Sequence, residues 1–490
     1  MPLARSRLGY LALAAALAWY GWFTFSRSAA WAGGADSSGY LNAARLLSRG
    51  TLHVPQRGFG GALPGSLSPL TYVPLGFDPS GSGQMVPLYP LGLPMLFAAG
   101  STVFGWSAGP HLMVWLHLVA AVLLMRCLGR IFGLEEGWAW TGALILAASP
   151  LFLFSAIQPM SDVPALVWCL AGIVLAWKSR QRPALALLSG IACSVAVLIR
   201  PTDLMLALPL VPALGRSTRR WLALVVGAAP GAIFLGLTNQ ALFGHVLATG
   251  YFDVGGWFGW SFVLPTAGNY LRWLPVALTP AVLLACAAPL ALRRRPFGAE
   301  RLVLLSWAGV FLSFYLFYYF THETWWYLRF LLPAFPPLIV GSLRVARKLL
   351  RLLPSHSRRW AGGLAVLAIP GWGFFWCQQL SVFAVNSDEL RYYEVVRWVS
   401  DRLSPDTVVI GMQMGGALIY YDRESRVLVR WDASTAADLG RIRSAASAAG
   451  RPIFAVLFPF EEKGVFGRTA GWKWRKTETV HDVGIWQLQR

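Results

Sequence analysis

The sequence predicts a polytopic α-helical membrane protein, with roughly eleven spanning helices, that ends in a small extracytoplasmic α/β domain. Three observations carry this. Of 490 residues 56% are hydrophobic and only 13% charged, the apolar residues gather in runs of spanning or near-spanning length, and the pattern breaks after residue 385.

The apolar runs cover 8–25, 110–127, 138–156, 163–177, 183–199, 203–215, 221–238, 273–292, 302–320, 330–343 and 360–377. The first follows Arg5 and Arg7 without a clean small-residue cleavage site, so it reads as a retained signal-anchor. With the N-terminus in the cytoplasm, twenty Lys and Arg residues fall in the short cytoplasmic segments, among them Arg126, Arg130, Arg293, Arg294, Arg295, Arg344, Arg347 and Arg351. The other side of the membrane part holds seven: Arg27, Arg45, Arg49, Arg57, Arg200, Arg272 and Arg329. The positive-inside rule therefore explains the +20 net charge by topology, without nucleic acid. The acidic residues split the opposite way. Asp36, Asp78, Asp162, Asp203, Asp253 and Glu323 fall outside, and Glu135, Glu136 and Glu300 fall inside.

The stretch 88–105 is apolar but rich in Pro and Gly, and counting it as a crossing would put the Arg-rich loops outside. It reads as an interfacial or re-entrant helix within a long external loop, 26–109. Cys127, Cys169, Cys193, Cys286 and Cys377 all lie in apolar runs, with no metal-like spacing. These features divide the chain into a membrane domain, 1–385, and an α/β domain, 386–490.

The second domain carries thirteen acidic and fifteen basic residues. Strands are expected at 407–411, 426–430 and 452–459, helices at 388–402 and 435–449, and a closing hairpin near 474–480 and 483–489. Such alternation suggests a doubly wound parallel sheet. The glycines of GMQMGGAL (411–418) complete no nucleotide fingerprint.

Three external clusters could carry chemistry. In GGADSSGYLNAARLLSRG (33–50), Asp36 is either a helix cap or a general base for a hydroxyl or amine. In SAIQPMSDVPALVW (155–168), Asp162 opens a helix with Pro164 in its first turn, again a cap, a site carboxylate or both. In FTHETWWYLRFLLPAFPP (320–337), His322 and Glu323 precede interfacial aromatics and Arg329, whose planar guanidinium suits a phosphate. Arg200 and Asp203 of IRPTDL either pair with each other or meet a ligand, and His245 is a loop histidine.

In order along 1–345, the external Asp36 with GYLNAARLLSRG, then PLYPLGLP, SDVPA, LIRPT, FGHVLATGY and YLRFLLPAFPPL resemble the GT-C superfamily of membrane glycosyltransferases. The nearest likeness is to the bacterial branch that holds protein O-mannosyltransferases and the lipid A aminoarabinose transferase, a family 39-like group. The resemblance implies an inverting transferase on the external face of the bacterial inner membrane, using a polyprenyl-phosphate sugar donor and a lipid, glycan or protein acceptor. It makes Asp36 the catalytic base and Asp162 a second site carboxylate, with Arg329 stabilising the leaving phosphate. His322, Glu323, Arg200, Arg57, Tyr40 and Tyr89 complete the expected substrate contacts. Two departures are visible: Ser37 stands where relatives place a second acid, and Val86 precedes Pro87 where some place a Lys. The carrier phosphate then needs its cation from Arg57, Arg200, Arg272 or Arg329. No cofactor or metal ligand is named, and a divalent metal is left open. The competing class, a flippase of lipid-linked sugars, would show broken helices repeated in two halves, and no such repeat is found. A receptor or assembly factor would leave Asp36 and Asp162 without a task.

Overall fold

The computed structural model describes residues 7–29, 31–59, 67–81, 83–251, 254–291, 298–424 and 426–489. Arg5, Asp253, Arg293, Arg294 and Arg295, placed on one side or the other from sequence, lie outside the described residues. The chain forms two compact units. One holds 1–28, 111–236 and 253–385, and the other 29–110, 237–252 and 386–490. The external loop, assigned from sequence to the membrane domain, is thus grouped with the C-terminal region.

The first unit is helical. Among the described residues of the whole chain, five helices are long and apolar enough to cross a membrane, and a sixth if a bent pair counts as one. Two of them, Thr218–Phe243 and Ser355–Gln379, present Leu222, Val226, Ile233, Leu364 and Leu367 outward, each more than 60% exposed. Such rows make sense against lipid tails. The described part of each expected apolar run is mostly helical, but several are short or broken, so the number of crossings is not read from helix length alone. Run 138–156 is Glu136–Ala147 and Pro150–Ala156, bent by 63° where Ser149 caps the second piece by accepting from the Phe152 N–H.

Small residues set the packing of this unit. A Cβ on Gly190 would collide with the Leu224 carbonyl, and one on Gly227 with the Leu187 carbonyl, so Leu185–Ile199 and Thr218–Phe243 touch backbone to backbone. The core runs from Leu118 to Ile369 and includes fully buried Phe152, Trp307, Phe311 and Phe335. On the side read as cytoplasmic, Glu136 pairs with Arg126 and Arg130, Glu135 with Arg351 at 3.2 Å, and Glu300 with Arg344 at 3.3 Å.

The second unit holds two sheets. Strands β1 (Val54–Pro55), β2 (Phe77–Ser80) and β3 (Gln84–Pro87) pair antiparallel in the order β1-β3-β2. The helix that follows, Gly92–Ile131, breaks at Gly105, whose φ of 77° is left-handed. A Cβ on Gly109 would lie 2.5 Å from the Ser101 nitrogen, so the chain folds back there. Residues 92–104 are therefore a helical segment set off from the remainder of Gly92–Ile131 by the break at Gly105.

Strands β4 (Val408–Gly411), β5 (Val427–Arg430), β6 (Ile453–Leu457), β7 (Trp474–Val480) and β8 (Val483–Leu488) form a sheet of order β5-β4-β6-β8-β7. The first three are parallel; the β7–β8 hairpin joins antiparallel, so the expected parallel sheet is mixed. Strand alternation feeds two cores. Val409, Leu428, Phe454 and Val456 meet Tyr392, Val395 and Val399 of the helix Val385–Arg402. Val408, Ile410, Val427, Val429 and Ala455 meet Leu439 and Ile442 of the helix Ala436–Ala448.

The segment that follows the helix Ala35–Ser48 closes one edge of this sheet. The Leu428 and Arg430 amides on β5 donate to the Arg57 and Thr71 carbonyls at 2.9 and 2.8 Å. An edge that would otherwise present free N–H groups is covered.

Candidate active site

In the second unit the central element is the helix Ala35–Ser48, which carries Asp36 in its first turn. Its N-cap is Gly34, with no side-chain cap bond, so Asp36 does not act as the cap residue. Instead its carboxylate accepts the Tyr89 hydroxyl. Burial, followed by the nearby Asp36 charge, holds that phenol well above its ordinary pKa. Tyr40 lies one helical turn beyond Asp36, and its ring packs on Tyr89 with centroids 4.9 Å apart; Tyr251 follows at 6.2 Å. Two glycines permit this approach. A Cβ on Gly39 would overlap the Tyr89 ring, and one on Gly250 would overlap the Leu88 carbonyl. The segments PLYPLGLP and FGHVLATGY, far apart in sequence, thus deliver Tyr89 and Tyr251 to the Asp36 helix.

A second carboxylate reaches the same turn and was not foreseen. Glu389, from the helix Val385–Arg402, accepts the Ser37 hydroxyl, and burial pushes its carboxyl up to about 7. Its Oε2 is buried without a hydrogen-bond partner, and a Cβ on Gly33 would overlap the carboxylate. Ser37 and Glu389 lie 352 positions apart, so no local signal could have joined them.

The first unit gathers another set. Asp162 opens the helix Asp162–Lys178, is 2% exposed, and meets Arg200 with Nη1 to Oδ1 at 2.5 Å. Asp203, which the sequence sets against a ligand as the alternative partner of Arg200, also feels the Arg200 charge. Asp203, 1% exposed, accepts from the Cys169 thiol, and its Oδ2 has no hydrogen-bond partner. Arg200 lies 5.1 Å from the Phe330 ring centroid and Arg329 5.4 Å from the same ring. Arg329 also donates to the Met160 sulfur at 3.7 Å, two residues before Asp162. Two guanidiniums therefore share one aromatic platform, and Asp162 balances one of them. Stacking of Tyr315 and Tyr327 on Phe330 fixes that ring.

Other expected contacts have local partners. His322 stacks on Phe262 at 5.5 Å, and Glu323 accepts the Tyr319 hydroxyl. Arg272 lies over Trp273 at 4.8 Å, and His245 accepts the Leu247 amide.

Arg57, expected as a substrate contact, is engaged within the protein. It donates to the carbonyls of Leu418, Asp422 and Glu424 and faces Asp422 at 3.8 Å, so its donors tie the loop to the end of the helix Gly415–Tyr421 and the turn after it instead of awaiting a phosphate. The glycine stretch 411–418 is likewise explained by packing. A Cβ on Gly416 would collide with Ser38 Oγ, while the Met412 and Gln413 amides both donate to Glu461, at 3.0 and 3.3 Å. Among the described residues no three His, Cys, Asp or Glu side chains gather as metal ligands.

No protein-family model and no curated protein matches the sequence. Solved structures do. The chain is similar to ArnT from Cupriavidus metallidurans, solved bound to undecaprenyl phosphate, with TM-score 0.59 and 14% identity over 98% of each chain. The Archaeoglobus fulgidus oligosaccharyltransferase, solved with a tethered acceptor peptide, matches at TM-score 0.54 and 14% identity, over 96% of this chain and 73% of that one. The arabinofuranosyltransferase AftD from Mycobacteria matches at 0.53 and 14%, over 98% of this chain and 40% of its own. At these identities the likeness is one of fold: the chain has the GT-C fold.

Proposed function

We propose that this chain is an inverting glycosyltransferase that moves a sugar from a polyprenyl-phosphate carrier to a lipid, glycan or protein acceptor. It crosses the bacterial inner membrane about eleven times, with the N-terminus in the cytoplasm and residues 26–109 and 386–490 outside. The acceptor oxygen or nitrogen attacks the anomeric carbon, the carbon–oxygen bond to phosphate breaks, and the carrier leaves as a phosphate monoester with the bonding electron pair. Asp36 takes the acceptor proton. Arg329 and Arg200 are the donors assigned to the charge that grows on the leaving phosphate, since donors already in place are most effective. Asp162 fixes the Arg200 guanidinium so that little reorganisation is needed as that charge develops. Hydrophobic surface between the helices accommodates the polyprenyl tail.

The observation that carries this reading is Asp36, a carboxylate held in the first turn of a loop helix by Tyr89, within a fold shared with a protein solved bound to undecaprenyl phosphate. Turnover of a polyprenyl-phosphate sugar that survives Asp36→Asn undiminished would remove its central residue.

A further inference from the structure

Glu389 stands at the start of the C-terminal region, yet its carboxylate sits on the first turn of the external-loop helix. Ser37, its hydroxyl donor, is the neighbour of Asp36. The site is built around this contact. Gly33 provides the only side-chain size that fits beneath the carboxylate, since a methyl group there would lie 2.4 Å from Cδ. Tyr392, one turn along the same helix, accepts from the Gln413 amide at 3.1 Å, and that amide nitrogen lies 3.5 Å from the Cβ position of Gly34. Two successive glycines ahead of Asp36 are thus covered by residues 389, 392 and 413. Nothing in the proton transfer assigned to Asp36 uses Glu389, and a buried carboxyl with an unpartnered oxygen costs stability when ionised.

We propose that Glu389 is a positioning residue: through Ser37 it sets the first turn of the helix Ala35–Ser48, and with it the direction of the Asp36 carboxylate. The inference rests on the role given to Asp36 under the proposed function. It gives the C-terminal region a part in the reaction beyond covering it. Ionised Glu389 is the stronger acceptor for the Ser37 hydroxyl, and protonation near pH 7 weakens the hold. The charged and titratable groups that face it are Asp36 and, from its own helix, Asp388, Arg391 and Tyr392, with Tyr421 from the helix Gly415–Tyr421.

The test uses full-length protein in nanodiscs, with the polyprenyl-phosphate sugar that supports Asp36-dependent turnover. Glu389→Ala and Ser37→Ala should each lower kcat about tenfold or more with KM unchanged, and the double variant should be no worse than either single one. Glu389→Gln should erase an ionisation near pH 7 from the kcat profile. Additive losses, or a kcat within twofold of wild type in Glu389→Ala, overturn the proposal. A second measurement does not depend on turnover: hydrogen exchange of peptides within 31–48 should rise in Glu389→Ala and Gly33→Ala while β4 to β6 stay protected. Unchanged exchange at 31–48 overturns the clamp. Turnover untouched by Asp36→Asn defeats the proposed function instead, and the exchange experiment then decides the Glu389 contact by itself.

Discussion

Replacing Asp422 by Asn should unfold the C-terminal region far more readily, because it strips the charge from an ion pair whose two side chains are almost wholly buried. Arg426 and Asp422 have side chains 1% and 0% exposed and meet at 2.5 Å. Arg426 also donates to the Leu403 and Ser404 carbonyls at 2.6 and 3.2 Å, while Asp422 accepts from Ser400 at 2.9 Å and faces Arg57 at 3.8 Å. The asparagine keeps the shape but leaves a guanidinium buried with carbonyl partners alone, which costs on the order of 3–5 kcal/mol. The more distant Arg57 contact adds about 1 kcal/mol or less. Pulse proteolysis in urea, followed at sites within 386–490, reads this directly. Joint replacement by Asp422→Asn with Arg426→Met should recover much of the loss, since no unpaired charge is then left. A loss below about 1 kcal/mol in the single variant would refute the reasoning, because no buried charge could then have been orphaned.

Three further expectations follow from the geometry. Gly416→Val drives a side chain into Ser38 and should separate the loop helix from Gly415–Tyr421, raising protease sensitivity around residues 49–59; a fully folded, wild-type-like variant would contradict the close packing. Arg329→Gln and Arg200→Gln should each lower kcat/KM for the donor by about a hundredfold, as loss of one preorganised donor does elsewhere, while Arg57→Gln should leave donor KM alone and reduce stability. Glu389 carries a pH signature of its own. Its folded value, about 7, exceeds the ordinary 4.5, so the stability it contributes is complete below about pH 4.5 and is lost as pH rises to 7. Glu389→Gln, neutral throughout, should therefore gain thermal stability over wild type at pH 8 and gain less at pH 5; equal differences at both would contradict the burial.

Much of the secondary structure was legible because its signals are local. Strands at 408–411, 427–430 and 453–457 are short β-branched runs bounded by turn residues, and hydropathy marked the helical segments. The bend at Ser149 escaped notice because Ala147, Pro150 and Leu151 are all apolar, so a hydropathy run passes straight through it. What depended on distant chain segments was not legible. Arg57 looked like an external cation free for phosphate, and only the path of the loop along β5 explains its carbonyl partners. From sequence Arg200 meets either its neighbour Asp203 or a ligand; the Arg200 charge does act on Asp203, and the fold adds an ion pair with Asp162 from another helix, which no local signal announces. Asp36, Tyr40 and Tyr89 were named from sequence and are brought together; Tyr251 and Glu389 join them only in three dimensions.

The central claim is tested most directly by incubating the purified protein in nanodiscs with a panel of radiolabelled polyprenyl-phosphate sugars and following release of free polyprenyl phosphate. The account predicts release from one donor in the presence of its acceptor, abolished by Asp36→Asn in protein that remains folded. Equal release by wild type and variant, or movement of the intact carrier between leaflets that survives the substitution without any release, would contradict it.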